Sequence, residues 1–151
     1  MAIAFAARAG ENLLLATFYV RESLFGLDAA GVQEVIRLSA VTRVRNAPAE
    51  VAGIVNLRGR IVTIIDIGLK LGFAPVETGP ESRVFIVEDR SEFIGFLVDR
   101  GAEVVEVPND EWQAPPANVP AQQSRHLKGV CRAGGKVIAL LDAARILAAE
   151  D

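Results

Sequence analysis

Apolar residues recur along this chain in short runs of strand length, most of them closed by glycine, proline or charged residues. Residues 13–20 and 24–28 predict a hairpin joined through Arg21-Glu22-Ser23. Residues 83–88 and 93–98 predict a second, with the later run continuing toward Val107. Ile54 and Val55 open an extended run that turns at Arg58-Gly59, since glycine tolerates positive φ. The β-branched residues 61–65 form the return strand. Asp66 is placed to cap the next turn through a backbone N–H, and Gly72 to stop it. Residues 30–38 predict a short helix, with Val32, Val35 and Ile36 on one face at i, i+3 and i+4. Residues 41–45 are extended and end before Pro48. Pro75, Gly79 and Pro80 mark a loop over residues 73–82, and Pro108, Pro115, Pro116 and Pro120 mark another. A last hairpin and helix span residues 127–149, with Asp142 as the cap. Strands dominate, so the fold class is all-β with short helices.

The pattern also repeats. Residues 53–71 lie over residues 129–147 without a gap. Gly53 meets Gly129, Gly59 meets Gly135, Arg60 meets Lys136 and Asp66 meets Asp142, with apolar strand positions matched between them. A weaker echo links Phe25-Gly26-Leu27 to Ile94-Gly95-Phe96. Two similar β-subunits are implied, each ending in a hairpin and a capped helix, with a partner groove where they meet. The matched positions are those a fold requires. Arg58 is different, because its counterpart is Gly134. A hairpin that forms without arginine leaves that side chain free for another role, or exposed as an ordinary turn charge.

Length and composition narrow the classes. At 151 residues with 51% hydrophobic and 23% charged content, the chain fits one globular domain. A net charge of -3 argues against a nucleic-acid surface, which needs clustered Lys and Arg. One cysteine, Cys131, cannot close an internal disulfide, which suits a reducing cytoplasm. No apolar run approaches the ~20 residues that span a bilayer. The opening MAIAFAARAG lacks a basic leader region and reads as a frayed tail.

Candidate chemistry is sparse. His126 and Cys131 supply too few ligands for structural zinc, which wants four, so no metal or cofactor is expected. Phosphate-loop, nucleophile-elbow and C-x-x-C motifs are missing from the sequence. Asp66 and Asp142 recur as a pair, and capping explains both. Trp112, alone in a proline-rich loop, reads as a lid over the second lobe.

Gly53 with Asn56-Leu57-Arg58-Gly59, followed by an apolar strand and Asp66-Ile67, closely resembles the signature of the CheW-like coupling domains of bacterial chemotaxis. That hallmark is G-V-x-N-L-R-G, then an apolar strand and D-L. Val32-Gln33-Glu34-Val35 resembles the family's V-Q-E-I, and the likeness runs from about Leu13 to Leu147. It implies two pseudo-symmetric five-stranded SH3-like β-barrel subdomains, interleaved in one domain over residues 13–151 after a flexible tail over residues 1–12. It implies a non-catalytic adaptor linking methyl-accepting receptors to a chemotaxis histidine kinase, whose regulatory domain shares the fold. Such a protein is cytoplasmic and peripheral to the inner membrane through receptor arrays, with no nucleic-acid partner and no membrane insertion. By resemblance, Val32, Glu34 and Gly53 fall on the receptor-binding surface, and Asn56, Leu57, Arg58 and Gly59 on the surface tied to kinase coupling. Two departures stand out: Thr63 where many members have proline, and Gly68 where a longer polar residue is common. Glycine inside a helix costs up to ~1 kcal/mol relative to alanine, so a frayed helix is expected there. The alternatives are a coupling protein of a pilus-motility or other chemosensory-like pathway and, more distantly, a small β-barrel hydrolase using Asp66 or Asp99.

Overall fold

A computed structural model describes residues 12–148, which form ten strands in two five-stranded sheets. The first half supplies β1 (Asn12–Val20), β2 (Ser23–Asp28), β3 (Val32–Arg37), β4 (Val51–Leu57), β5 (Arg60–Asp66) and the one-turn helix α1 (Ile67–Lys70). The second half supplies β6 (Arg83–Asp89), β7 (Glu92–Val98), β8 (Arg100–Pro108), α2 (Ala121–Ser124), β9 (Leu127–Ala133), β10 (Lys136–Leu141) and α3 (Ala143–Leu147). Strand order is β8-β1-β2-β10-β9 in the first sheet and β3-β6-β7-β5-β4 in the second. Each half thus gives its first two strands to one sheet and its last three to the other. Apart from Asn12, which opens β1, the tail expected over residues 1–12 lies outside the described residues.

The internal repeat is visible strand by strand. β4-turn-β5-α1 and β9-turn-β10-α3 share one topology, and Asp66 and Asp142 cap their helices by accepting from the Leu69 and Arg145 N–H groups. The parallel pairs also correspond. Ile64 of β5 lies opposite Gly95 of β7, and Leu140 of β10 opposite Gly26 of β2. A Cβ on Gly95 would come within 2.5 Å of Val84 Cγ1 and 2.8 Å of Ile64 Cδ1, so the strand there has no room for a side chain.

Burial follows from the sheets. Phe18, Phe25, Phe85, Phe96, Ile67, Leu71 and Ile146 form a central cluster to which both sheets and two helices contribute. Val55, Val62, Ile64, Val84, Ile86 and Leu97 fill the second sheet's own core. Leu13, Leu15, Val107, Cys131, Ile138 and Leu140 fill the first sheet's core. β6 therefore buries both faces: Val84 and Ile86 enter one cluster, Phe85 and Val87 another. That accounts for its unbroken apolar run.

Two expectations are corrected. Residues 30–38 are not a helix: a short 3-10 turn at Ala29–Gly31 leads into strand β3, which pairs antiparallel with β6. Val32, Val35 and Ile36 satisfy a helical face, but Val-rich residues beside an unpaired strand edge gain a full ladder by extending. Burial alternates along β3 although residue type does not: Glu34 stands on the half-buried face and Val35 on the exposed one, so no period-2 pattern is written in the sequence. The run from Phe93 toward Val107 is also not continuous, because Asp99 ends β7 and β8 crosses to the first sheet.

Candidate functional site

The β4–β5 turn is strained at one residue. Arg58 and Gly59 both take left-handed backbone, at φ 51° and 87°, as a two-residue hairpin turn of this kind demands. Asn56 Oδ1 accepts from the Gly59 N–H at 2.9 Å and holds the loop. Gly134 and Gly135 form the matching β9–β10 turn, at φ 58° and 79°. Glycine adopts this conformation freely, whereas a side chain there costs about 1–2 kcal/mol. The first half keeps an arginine where its own copy has the easier residue.

Arg58 also has a defined partner. Its Nη2 donates to the Glu34 carboxylate, which stands on β3. β3 and β4 are the two edges of the second sheet, so this contact draws the edges toward each other. Leu57 beside it packs on the same cluster as Ile36 and Leu38. The pair is solvent-facing, with Arg58 68% and Glu34 34% exposed. Such a pair contributes about 0–1 kcal/mol; its effect is chiefly to fix where the two groups stand.

The next residue on β3 faces the other way, as strand geometry requires. Val35 is 47% exposed and, with Val104 of β8 at 65%, lines a groove of about 470 Å³. Ala16 and Phe85 also line it, Arg83 and Arg100 bring positive charge, and Glu81 brings negative charge. Val35 pairs with Phe85 and Val104 with Ala16, equivalent positions in the two halves. The exposed valines are therefore repeat-related, on the edge strands of the two sheets. Val35 and Val104 were missed as site residues, since the helical reading assigned Val35 to a packed face. Glu34-Val35-Ile36 and Glu103-Val104-Val105 are the sequence signal that reveals them.

The candidate reacting groups are occupied in other ways. Asp66 is buried and accepts from the Leu69 and Val76 N–H groups, each at 3.0 Å. Asp99 accepts from the Arg21 N–H. Cys131 is buried in the first sheet's core, and desolvation, with Glu111 adding, pushes its thiol up to about 11. Among the described residues, no group of three His, Cys, Asp or Glu side chains is arranged to hold a metal ion. No helix among them is long and apolar enough to cross a membrane.

Comparison with known proteins decides the family. Residues 15–151 match the model of the CheW-like domain. The chain is 32% identical over 147 residues to a chemotaxis protein CheW of Treponema pallidum, covering 93% of this chain and 85% of that protein. It is 27% identical over 146 residues to the protein FrzA of Myxococcus xanthus, covering 95% and 91%. In fold it is similar to the scaffolding protein TtCheW of Thermoanaerobacter tengcongensis, with a TM-score of 0.82 at 25% identity over 97% and 94% of the two chains. The chain belongs to the CheW-like domain family.

Of the seven positions singled out by that CheW-like resemblance, the structure gathers five. Glu34 meets Arg58, and Asn56, Leu57 and Gly59 build the turn that presents it. Val32 lies apart, half-buried against the central cluster. Gly53 is buried beneath the chain at Thr42: a Cβ there would sit 2.4 Å from the Thr42 carbonyl oxygen, at φ +147°. Its repeat partner Gly129 lies under Gln113 in the same way, at 2.7 Å. Each glycine admits a bridging segment, Thr42 to Ile54 and Gln113 to Val130, so the fold itself requires both. Trp112 packs against the first sheet's core, in the manner of a lid.

Proposed function

We propose that this chain is a non-catalytic adaptor that couples methyl-accepting chemotaxis receptors to the histidine kinase of a signalling array. The observation that carries the reading is Arg58, held in a costly backbone conformation and paired with Glu34 on the strand that also presents Val35. The groove between Val35 and Val104 suits the cytoplasmic tip of a receptor: it is apolar between its walls, with Arg83 and Arg100 for acidic or polar groups. The Arg58 turn suits the kinase's regulatory domain. Contacts of this kind can be small and transient, and exposed apolar residues flanked by charge supply them. No bond is made or broken. The protein works by position, from the cytoplasmic side of the inner membrane, where receptors hold it.

The test is reconstitution of receptor fragment, kinase and this chain, with kinase activity and binding followed together. Arg58→Ala retains receptor binding but loses receptor control of the kinase. A variant that couples normally removes Arg58 from the site.

A further inference from the structure

Residues 72–82 lead from α1 to β6 and are gripped along their length by groups from both sheets. At the α1 end they fold back over the helix. The Phe73 N–H donates to the Gly68 carbonyl at 2.7 Å, and a Cβ on Gly68 would stand 2.6 Å from the Ala74 carbonyl oxygen. Glycine at 68, where the resemblance leads one to expect a longer polar residue, is what lets the segment close down. Asp66 then takes the Val76 N–H at 3.0 Å.

The first sheet holds the same segment from two sides. Arg21, in the β1–β2 turn at φ 57°, donates from Nη2 to the Pro75 carbonyl at 2.9 Å, and its Nη1 lies 3.8 Å from the Glu77 carboxylate. The Arg21 N–H donates to Asp99 Oδ2, tying the turn to the residue that leads into β8. From α2, Gln122 Nε2 donates to the Lys70 carbonyl at 3.1 Å, and its Cγ fills the space a Cβ on Gly72 would need. At the far end, Ser82 Oγ accepts from the Gly79 N–H at 2.9 Å, and Glu81 lines the groove beside Arg83 and Arg100.

We propose that residues 72–82 are a strap that sets the spacing of the two sheets, with Arg21 and Gly68 as positioning residues for the groove between Val35 and Val104. The segment begins on α1 of the second sheet, is pinned by a turn and a helix that belong to the first, and ends at the groove's rim. Loosening it at Arg21, or lifting it at Gly68, lets the two edge strands move apart. The binding consequence, but not the spacing itself, rests on the receptor reading given above.

The experiment places spin labels at Val35→Cys and Val104→Cys in the full chain and measures their separation by pulsed electron paramagnetic resonance. Cys131 stays unlabelled, being buried with a raised thiol pKa. Arg21→Ala and Gly68→Val are each expected to broaden the distance distribution and shift it outward. In the unlabelled variants, a receptor-tip fragment is expected to bind about tenfold more weakly, as loss of one or two positioning contacts implies. Arg21→Lys, which keeps the charge but not the fork of donors, decides the matter where the alanine variant does not fold. Folded variants with the parental distribution overturn the strap. A shifted distribution with unchanged receptor affinity leaves the strap standing and removes the receptor from the groove.

Discussion

Glu34 and Val35 are neighbours on β3 that serve opposite sides of the second sheet: Glu34 accepts the Arg58 guanidinium, while Val35 lines the inter-sheet groove. One strand therefore carries both halves of the candidate site. A partner seated against Val35 bears on the backbone that positions Glu34, one residue away. Because β3 is an edge strand with a bulge between Val32 and Glu34, it can adjust without disturbing the central ladder.

Arg58→Gly separates the structural role of the turn from its function. Glycine removes the conformational cost of a side chain at φ 51°, about 1–2 kcal/mol. It forfeits an exposed ion pair contributing about 0–1 kcal/mol. The variant should melt at or above the parental temperature and still fail to transmit receptor control to the kinase. A clearly lower melting temperature would show that the arginine holds the fold; normal coupling would show that it does nothing.

Val35→Lys and Val104→Lys test the groove. Both valines are largely exposed, so stability should change by no more than about 0.5 kcal/mol. A charged side chain placed against the apolar wall of the groove removes the apolar contact there and should weaken receptor-fragment binding at least tenfold, a loss of about 1.4 kcal/mol. Calorimetric titration of each variant beside a melting curve is sufficient. Parental affinity in both would move the receptor site elsewhere.

The repeat was legible because it rests on requirements that recur: a turn glycine, a helix cap, and Gly53 and Gly129 beneath crossing segments. Residues 30–38 were misread because Val32, Val35 and Ile36 fit a helical face, while the decisive factor, a free edge on β6, lies some fifty residues away in sequence. The same distance problem hid the Arg58–Glu34 pair, whose members are 24 residues apart. It also hid the reason for Gly68, which looked like a flaw in a helix and is a seat for Ala74. Patterns local to one element were readable; contacts between elements were not.

Gly53→Ala and Gly129→Ala distinguish a fold requirement from a contact surface. Each new methyl meets a backbone carbonyl oxygen, at 2.4 Å and 2.7 Å respectively, which cannot swing aside as a side chain would. Gly53 carries the further penalty of its positive φ. Overpacking of this kind costs about 1–3 kcal/mol, and Gly53→Ala should be the worse of the two by chemical denaturation. If Gly53→Ala is as stable as the parent and loses only receptor binding, Gly53 belongs to the receptor surface after all.

Stability at alkaline pH should carry the mark of Cys131. Burial and Glu111 raise its thiol from 9.0 to about 11 in the folded chain, so the native state holds this proton more tightly than the unfolded state. The associated stability is fully present below about pH 9 and is lost as the pH climbs through the folded value, because the unfolded chain ionises first. Lys136, raised by its hydrogen bond to the Tyr19 hydroxyl, acts in the same direction, so the parent alone cannot isolate the thiol. Cys131→Ala can. The variant starts less stable at pH 7, having lost a buried side chain from the first sheet's core. Its deficit should then shrink as the pH rises from 9 to 10.5, since it has no thiol to ionise. Urea midpoints for both proteins across that range give the difference directly. A deficit that stays constant would mean that the thiol ionises as readily in the folded core as in the unfolded chain.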